Sequence, residues 1–159
     1  MKKIAITGAD GFIGSFVVKK LQSQNVKLKF FDITKYNLLE SDSLKNFIKN
    51  QDVIIHLAGV NRGTNEELFK VNTLGMLSLL DALAKYSPKT RIIFTSTFQV
   101  YLQGSFYGTS KKFAEELLSQ YALNHQIQSI ILRLSNVYGP GGKPFYNSVI
   151  ATFSHLIKN

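Results

Sequence analysis

Lys3-Ile4-Ala5-Ile6-Thr7-Gly8-Ala9-Asp10-Gly11-Phe12-Ile13-Gly14 stands at the head of the chain and decides its fold. The β-branched run Lys3–Thr7 reads as a short strand. Glycines at 8, 11 and 14 follow at once, and an amphipathic helical pattern, about Phe12–Gln24, begins among them. A turn from strand into helix of this kind must bring backbone close to a diphosphate. Side chains would block the approach, and positive φ would penalise them. Gly8 and Gly11 serve the turn and the approach, and Gly14 lets the helix pack on the strand. The helix N-terminus then offers unpaired N–H groups and its dipole to the anion. Glycine triplets are common in loops; the strand before this one and the helix after it are what point to a dinucleotide.

Outward from that unit, apolar runs alternate with helical patterns to the chain end. Lys27–Asp32, Asp52–Leu57, Arg91–Ser96 and Ser129–Leu134 have the continuous apolar character of strands buried on both faces. Helices are expected at about Ser41–Asn50, Asn65–Tyr86, Phe106–Asn124 and Asn147–Lys158. Thr64 with Glu67 fits a capping box, and Ser87-Pro88 stops the helix that it starts. The alternation implies right-handed crossovers and an α/β fold: a doubly wound parallel sheet in three α/β/α layers. Ligands of such sheets bind beyond the C-terminal strand ends.

Two groups of residues fall at those ends. Asp32 closes the second strand, where a carboxylate can accept from both adenosine ribose hydroxyls and would repel a 2′-phosphate. That favours NAD; Lys35 nearby keeps NADP open, and a plain turn-capping role for Asp32 stays open too. The second group is Thr97, Tyr107 and Lys111. Tyr107 and Lys111 stand at i and i+4, on one helix face, after a strand ending Thr95-Ser96-Thr97. A nearby ammonium favours phenolate and would lower the tyrosine from its reference value of about 10. Tyr107 could then take a proton from a sugar hydroxyl or return one to a ketone, with Thr97 on the same oxygen.

Composition excludes several alternatives. Of 159 residues, 45% are hydrophobic and 18% charged, which suits a folded α/β domain. No run approaches the roughly 20 apolar residues of a bilayer span, and the N-terminus lacks signal-peptide character, so a cytoplasmic protein off the membrane is expected. Cysteine is absent, and His56, His125 and His155 do not share a ligand spacing, so no metal site is expected. His56, on a strand, reads as a packing residue. The net charge of +9 comes mostly from scattered lysines, with arginine only at 62, 91 and 133, which argues against a nucleic-acid partner.

The ordered motifs resemble the extended short-chain dehydrogenase/reductases, specifically the NAD-dependent epimerase/dehydratase type that modifies nucleotide sugars. They are Thr7-Gly8-x-x-Gly11-Phe12-Ile13-Gly14, Asp32, His56-Leu57-Ala58-Gly59, Val71-Asn72-x-x-Gly75, Ser96-Thr97-x-x-Val100-Tyr101, Tyr107-x-x-x-Lys111 and Arg133-Leu134-Ser135-Asn136-Val137-Tyr138-Gly139-Pro140. The resemblance implies that Phe12 and Ile13 join Gly8 and Gly11 along the pyrophosphate. It implies that Leu57, Ala58 and Gly59 run past the cofactor, with Asn72 behind it. Asn37-Leu38 stands where the family often has Asp-Leu against the adenine. Lys111 would also bond the nicotinamide ribose, Leu134 and Ser135 would border the nicotinamide, and Asn136 would face a substrate diphosphate. Gly59-Val60-Asn61-Arg62 and the segment from Lys143 to Phe153 resemble the capsular-polysaccharide and O-antigen reductase/epimerase branch; Arg62 is either a phosphate contact or a solvated loop residue. The resemblance further implies a homodimer, a dinucleotide-binding domain over 1–144, and 145–159 as the start of a substrate domain that is otherwise missing. Activity impaired by that shortness, or a non-catalytic NAD(P)-binding module, is the alternative.

Overall fold

The computed structural model describes residues 1–146 and 148–158. Strands β1 (Lys2–Thr7), β2 (Val26–Phe30), β3 (Val53–His56), β4 (Arg91–Thr97) and β5 (Ser129–Leu134) form one sheet. Its order is β2-β1-β3-β4-β5, and every neighbouring pair is parallel. Helices α1 (Phe12–Gln22), α2 (Lys45–Ile48), α3 (Asn65–Phe69), α4 (Gly75–Tyr86), α5 (Phe106–His125) and α6 (Val149–Lys158) accompany it. This is the expected doubly wound fold. The chain reverses its direction of travel across the sheet between β1 and β3, whose pairing ends at Thr7 opposite His56. That switch point opens the crevice in which such sheets take ligands.

Strand residues alternate between two cores, as the two-residue period requires. Ala5, Ile54, Ile92 and Phe94 face α2, α4 and α5, and pack with Phe47, Met76, Leu79, Leu83, Ala114 and Leu118. Ile4, Ile6 and Ile55 face α1 through Val17, Val18 and Leu21. The second core is smaller. On its side, Ile130 and Leu132 of β5 remain 51% and 42% exposed, while Ile131 packs into the first core. The expectation of strands buried on both faces therefore holds at the centre of the sheet and not at its edges. β2 is an edge strand, and Lys27 and Lys29 discourage further pairing there.

Two predicted helices differ in detail. The expected Ser41–Asn50 helix is regular only over Lys45–Ile48. Ser43 Oγ accepts the Asn37 N–H, and Asp42 accepts from Lys85 and Tyr86, so these side chains stabilise turns instead. Asn50 ends the segment at φ 61°. The expected Asn65–Tyr86 helix is continuous but contains a π turn at Lys70–Leu74. The start expected for the last helix, Asn147, lies outside the described residues. Among the described residues, no helix is long and apolar enough to cross a membrane.

Candidate active site

Gly8 adopts φ +71°, and a Cβ there would lie 2.7 Å from the Ala58 nitrogen. Only glycine fits this crossing of the first loop over the end of β3. Gly11 sits at φ −72°, so its contribution is small size; the expected need for positive φ applies to Gly8 alone. Gly11 is the N-cap of α1, and no side chain caps that helix. By contrast, Thr64 and Glu67 form the full capping box at α3, and Ser105 Oγ accepts the Gly108 N–H at α5. The first amides of α1 are thus left to an external acceptor, with the positive end of the helix dipole behind them. A Cβ on Gly14 would sit 2.0 Å from the Gly8 carbonyl oxygen, so this glycine permits the loop to fold back on the helix. The residues fit a dinucleotide's pyrophosphate.

On the adenosine side, Asp32 follows β2 with its carboxylate engaged locally. Oδ1 accepts from the Thr34 N–H (2.9 Å) and hydroxyl (2.6 Å), and Oδ2 meets Lys35 Nζ at 3.0 Å. These contacts, Thr34 foremost, hold the carboxyl well below its usual range. The turn-capping role left open for Asp32 is present here. Asn37 is engaged in its own turn: its Oδ1 accepts the Leu39 N–H and its Nδ2 donates to Glu40, which leaves a second lone pair and a second N–H on the amide. Leu38 packs toward Gly75, where a Cβ would lie 3.0 Å from it.

The catalytic candidates meet where β4 ends and α5 begins. Thr97 is the last residue of β4, and its hydroxyl accepts the Gln99 N–H (3.2 Å) and bonds the Tyr107 side chain. Lys111 is buried, with Nζ 4.2 Å from the Phe94 ring centroid and 3.6 Å from where a Gly59 Cβ would lie. Burial pulls its ammonium down to about 7, with Glu115 opposing. The expected lowering of Tyr107 by Lys111 is not found. Burial raises the phenol, and the Thr97 hydroxyl alone works in the other direction. The lysine rests on the Phe94 ring.

Asn72 ties these parts together from the π turn. Its Oδ1 accepts the Val60 N–H (2.9 Å), and its Nδ2 donates to the Val60 carbonyl (2.8 Å) and to Ser110 Oγ (3.0 Å). Ser110 in turn donates to the Tyr107 carbonyl (2.8 Å), and Thr73 donates to the Ser110 carbonyl (2.9 Å). The π turn fits this double anchorage, and such turns recur at functional sites. Ser110 and Gly108 escaped the sequence reading. A Cβ on Gly108 would fall 2.1 Å from the Gln99 carbonyl oxygen, so this glycine sets how closely α5 meets the turn carrying Thr97. Its signal was a glycine placed inside a helix, where it costs about 1 kcal/mol without a packing reason.

His56 is fully buried behind the loop. Its Nδ1 shares a 2.7 Å hydrogen bond with Thr7 Oγ1, which also accepts the Ala58 N–H (3.2 Å), and its ring stacks on Phe94. Burial, with Lys111's charge adding, pushes it from 6.5 to about 3. The unfolded chain gains a proton at this residue below pH 6.5 that the folded one refuses. Stability is therefore expected to fall as pH drops from 6.5 toward 3, by up to about 1.4 kcal/mol per pH unit. Urea unfolding across that range measures it, and His56→Asn should flatten the slope.

Leu134 ends β5, with Ser135 and Asn136 exposed just beyond it. Arg62 is an exposed loop residue that donates to the Tyr146 carbonyl and lies 4.4 Å over the Tyr146 ring. No group of three metal-ligating side chains occurs among the described residues.

Comparison with known proteins agrees with this geometry. Residues 4–159 match the model of the NAD dependent epimerase/dehydratase family. The UDP-2-acetamido-2,6-beta-L-arabino-hexul-4-ose reductase of Pseudomonas aeruginosa is 33% identical over 98% of this chain and 41% of its own length. RMD from Pseudomonas aeruginosa, solved with NADPH, superposes with a TM-score of 0.85 at 27% identity, over 99% of this chain and 61% of that one. The capsular polysaccharide assembling protein CapF from Staphylococcus aureus gives 0.75 at 33% identity, over 97% and 41%. Other solved structures of this fold carry NAD or NADP. The chain spans about half the length of the curated relatives it matches. With the sheet order, the glycine turn and the family match in agreement, this chain belongs to the NAD-dependent epimerase/dehydratase family.

Proposed function

We propose that this chain is the cofactor-binding and catalytic part of an NAD(P)-dependent oxidoreductase acting on a nucleotide sugar, with a 4-keto sugar as the substrate class. The observation that carries this reading is the meeting of Thr97, Tyr107 and Lys111 at the sheet's C-terminal edge, beside Gly59, next to an uncapped α1. The reductase relative supports the keto-sugar substrate.

The bound dinucleotide supplies or accepts the hydride. Gly8, Gly11, Phe12 and Ile13 hold its pyrophosphate with main-chain N–H groups. Asp32 holds the adenosine ribose, Leu57–Gly59 flank it, and Leu134 and Ser135 border the nicotinamide. Asn136 faces the substrate's diphosphate. Tyr107, kept protonated by burial, donates its proton to the carbonyl oxygen in the reductive direction, and Thr97 bonds that same oxygen. Lys111 holds the nicotinamide ribose, and the Thr97 hydroxyl favours the phenolate left behind. Residues 1–144 form the dinucleotide domain, and 145–159 begin the substrate domain. Leu74, Leu77 and Phe113, exposed on the helices flanking the site, form the homodimer face. The working compartment is the cytoplasm.

Cofactor choice is set at Asp32 and Lys35. Titration calorimetry is expected to show NAD bound more tightly than NADP. Lys35→Ala should weaken NADP about fivefold and leave NAD unchanged, since Lys35 is a cation paired with that carboxylate and within reach of a 2′-phosphate there. Equal loss of both cofactors would reject the assignment. A dinucleotide-binding module without turnover is the second reading. Nicotinamide reduction or oxidation by any nucleotide sugar excludes it.

A further inference from the structure

Glu115 lies one helical turn beyond Lys111 on α5 and is 3% exposed. Such burial disfavours a carboxylate unless it is paired. Arg133 of β5 supplies the pair: Nε reaches Oε1 and Oε2 at 3.1 Å each, and Nη2 reaches Oε2 at 2.6 Å. Arg133 also donates to the Tyr101 hydroxyl and lies 5.0 Å from that ring's centroid. Strand end, helix and the turn after Thr97 are thereby pinned at one point. Glu115 and Lys111 form no direct ion pair; their coupling acts through space across one turn.

We propose that Glu115 is a positioning residue for the site. It holds the Lys111 ammonium in its charged form from one turn away, and its two-oxygen pair with Arg133 fixes the strand end that carries Leu134 and Ser135. The inference rests on the reading of Lys111 as part of the catalytic set.

The charges around Lys111 are few. On its own helix stand Glu115 and Tyr107. From β3 comes His56, kept neutral by burial. From β4 comes the uncharged Phe94 face, and from β5 Arg133, which competes for the Glu115 carboxylate. Among the described residues, Glu115 is thus the anion acting on this buried cation. Its own ionisation is opposed by burial, which Arg133, Ser96 and Lys111 together more than offset. Removing its charge should release the lysine's proton more easily, and removing Arg133 should do the reverse.

The test is a pH titration of Lys111 by NMR in protein carrying 13Cε-labelled lysine, with the resonance assigned by its loss in Lys111→Arg. In Glu115→Gln the midpoint is expected to fall by about one pH unit, and in Arg133→Gln to rise. Loosened packing alone would admit water and raise the midpoint in both. An unchanged or raised midpoint in Glu115→Gln would overturn the proposal. If that variant does not fold, Glu115→Met, which fills the same buried space without the charge, should show the same fall; no fall there counts equally against it. The titration needs neither cofactor nor turnover, so a parallel NAD titration that fails would reject the proposed function and leave this coupling standing.

Discussion

Replacing Tyr107 with Phe is expected to cut turnover by about 10²- to 10⁴-fold while dinucleotide affinity stays within about twofold. The substitution removes one hydroxyl and little else. The half-buried ring keeps its place at the start of α5, the main-chain bond from Ser110 to the Tyr107 carbonyl survives, and the Gly8–Gly14 turn lies on a different element. The lost hydroxyl is also the one that Thr97 bonds. Steady-state rates with a 4-keto nucleotide sugar, beside calorimetric titration with NAD, measure both halves. A variant with ordinary rates would mean that Tyr107 carries no proton in the reaction.

Gly14→Ala should act on the fold and the cofactor together. In an exposed helix this change stabilises by about 1 kcal/mol, because alanine is the better helix former. Here the new methyl would meet the Gly8 oxygen at 2.0 Å and the Ala9 oxygen at 2.7 Å, both main chain and neither able to swing aside. The expected sign is therefore reversed: a loss of about 2 kcal/mol or more, with dinucleotide affinity down more than about tenfold as the loop is pushed out of shape. Chemical unfolding and calorimetry test the pair. A stabilised variant with normal affinity would show that the loop does not depend on contact with the first turn of the helix.

Most of the fold was legible because its signals are local. Strand runs, the capping box at Thr64 and the stop at Ser87-Pro88 each depend on a few adjacent residues, and all appear where expected. Edges were not legible: an apolar run such as Ser129–Leu134 looks the same whether or not a layer covers both its faces. The short α2 escaped because Ser43 and Asp42 find partners on Asn37, Lys85 and Tyr86, which are remote in sequence or bonded through the turn. In the site, residue types and spacing singled out Gly8, Gly14, Tyr107 and Lys111 as candidates. What a motif cannot convey is where a flexible side chain rests. Lys111 lies on Phe94, Asn37 bonds its own turn, and Arg62 covers Tyr146. Ser110 and Glu115 were missed for a related reason: each matters through a partner on another element, Asn72 in one case and Arg133 in the other.

The most direct measurement is a 1H–15N NMR titration of the intact chain with NAD. If the uncapped start of α1 receives the two linked phosphates, the Gly11, Phe12 and Ile13 amides will show the largest saturable shifts, with the same midpoint as smaller shifts at Ala58 and Gly59. Saturable shifts confined to other elements, or none at millimolar NAD, would contradict it.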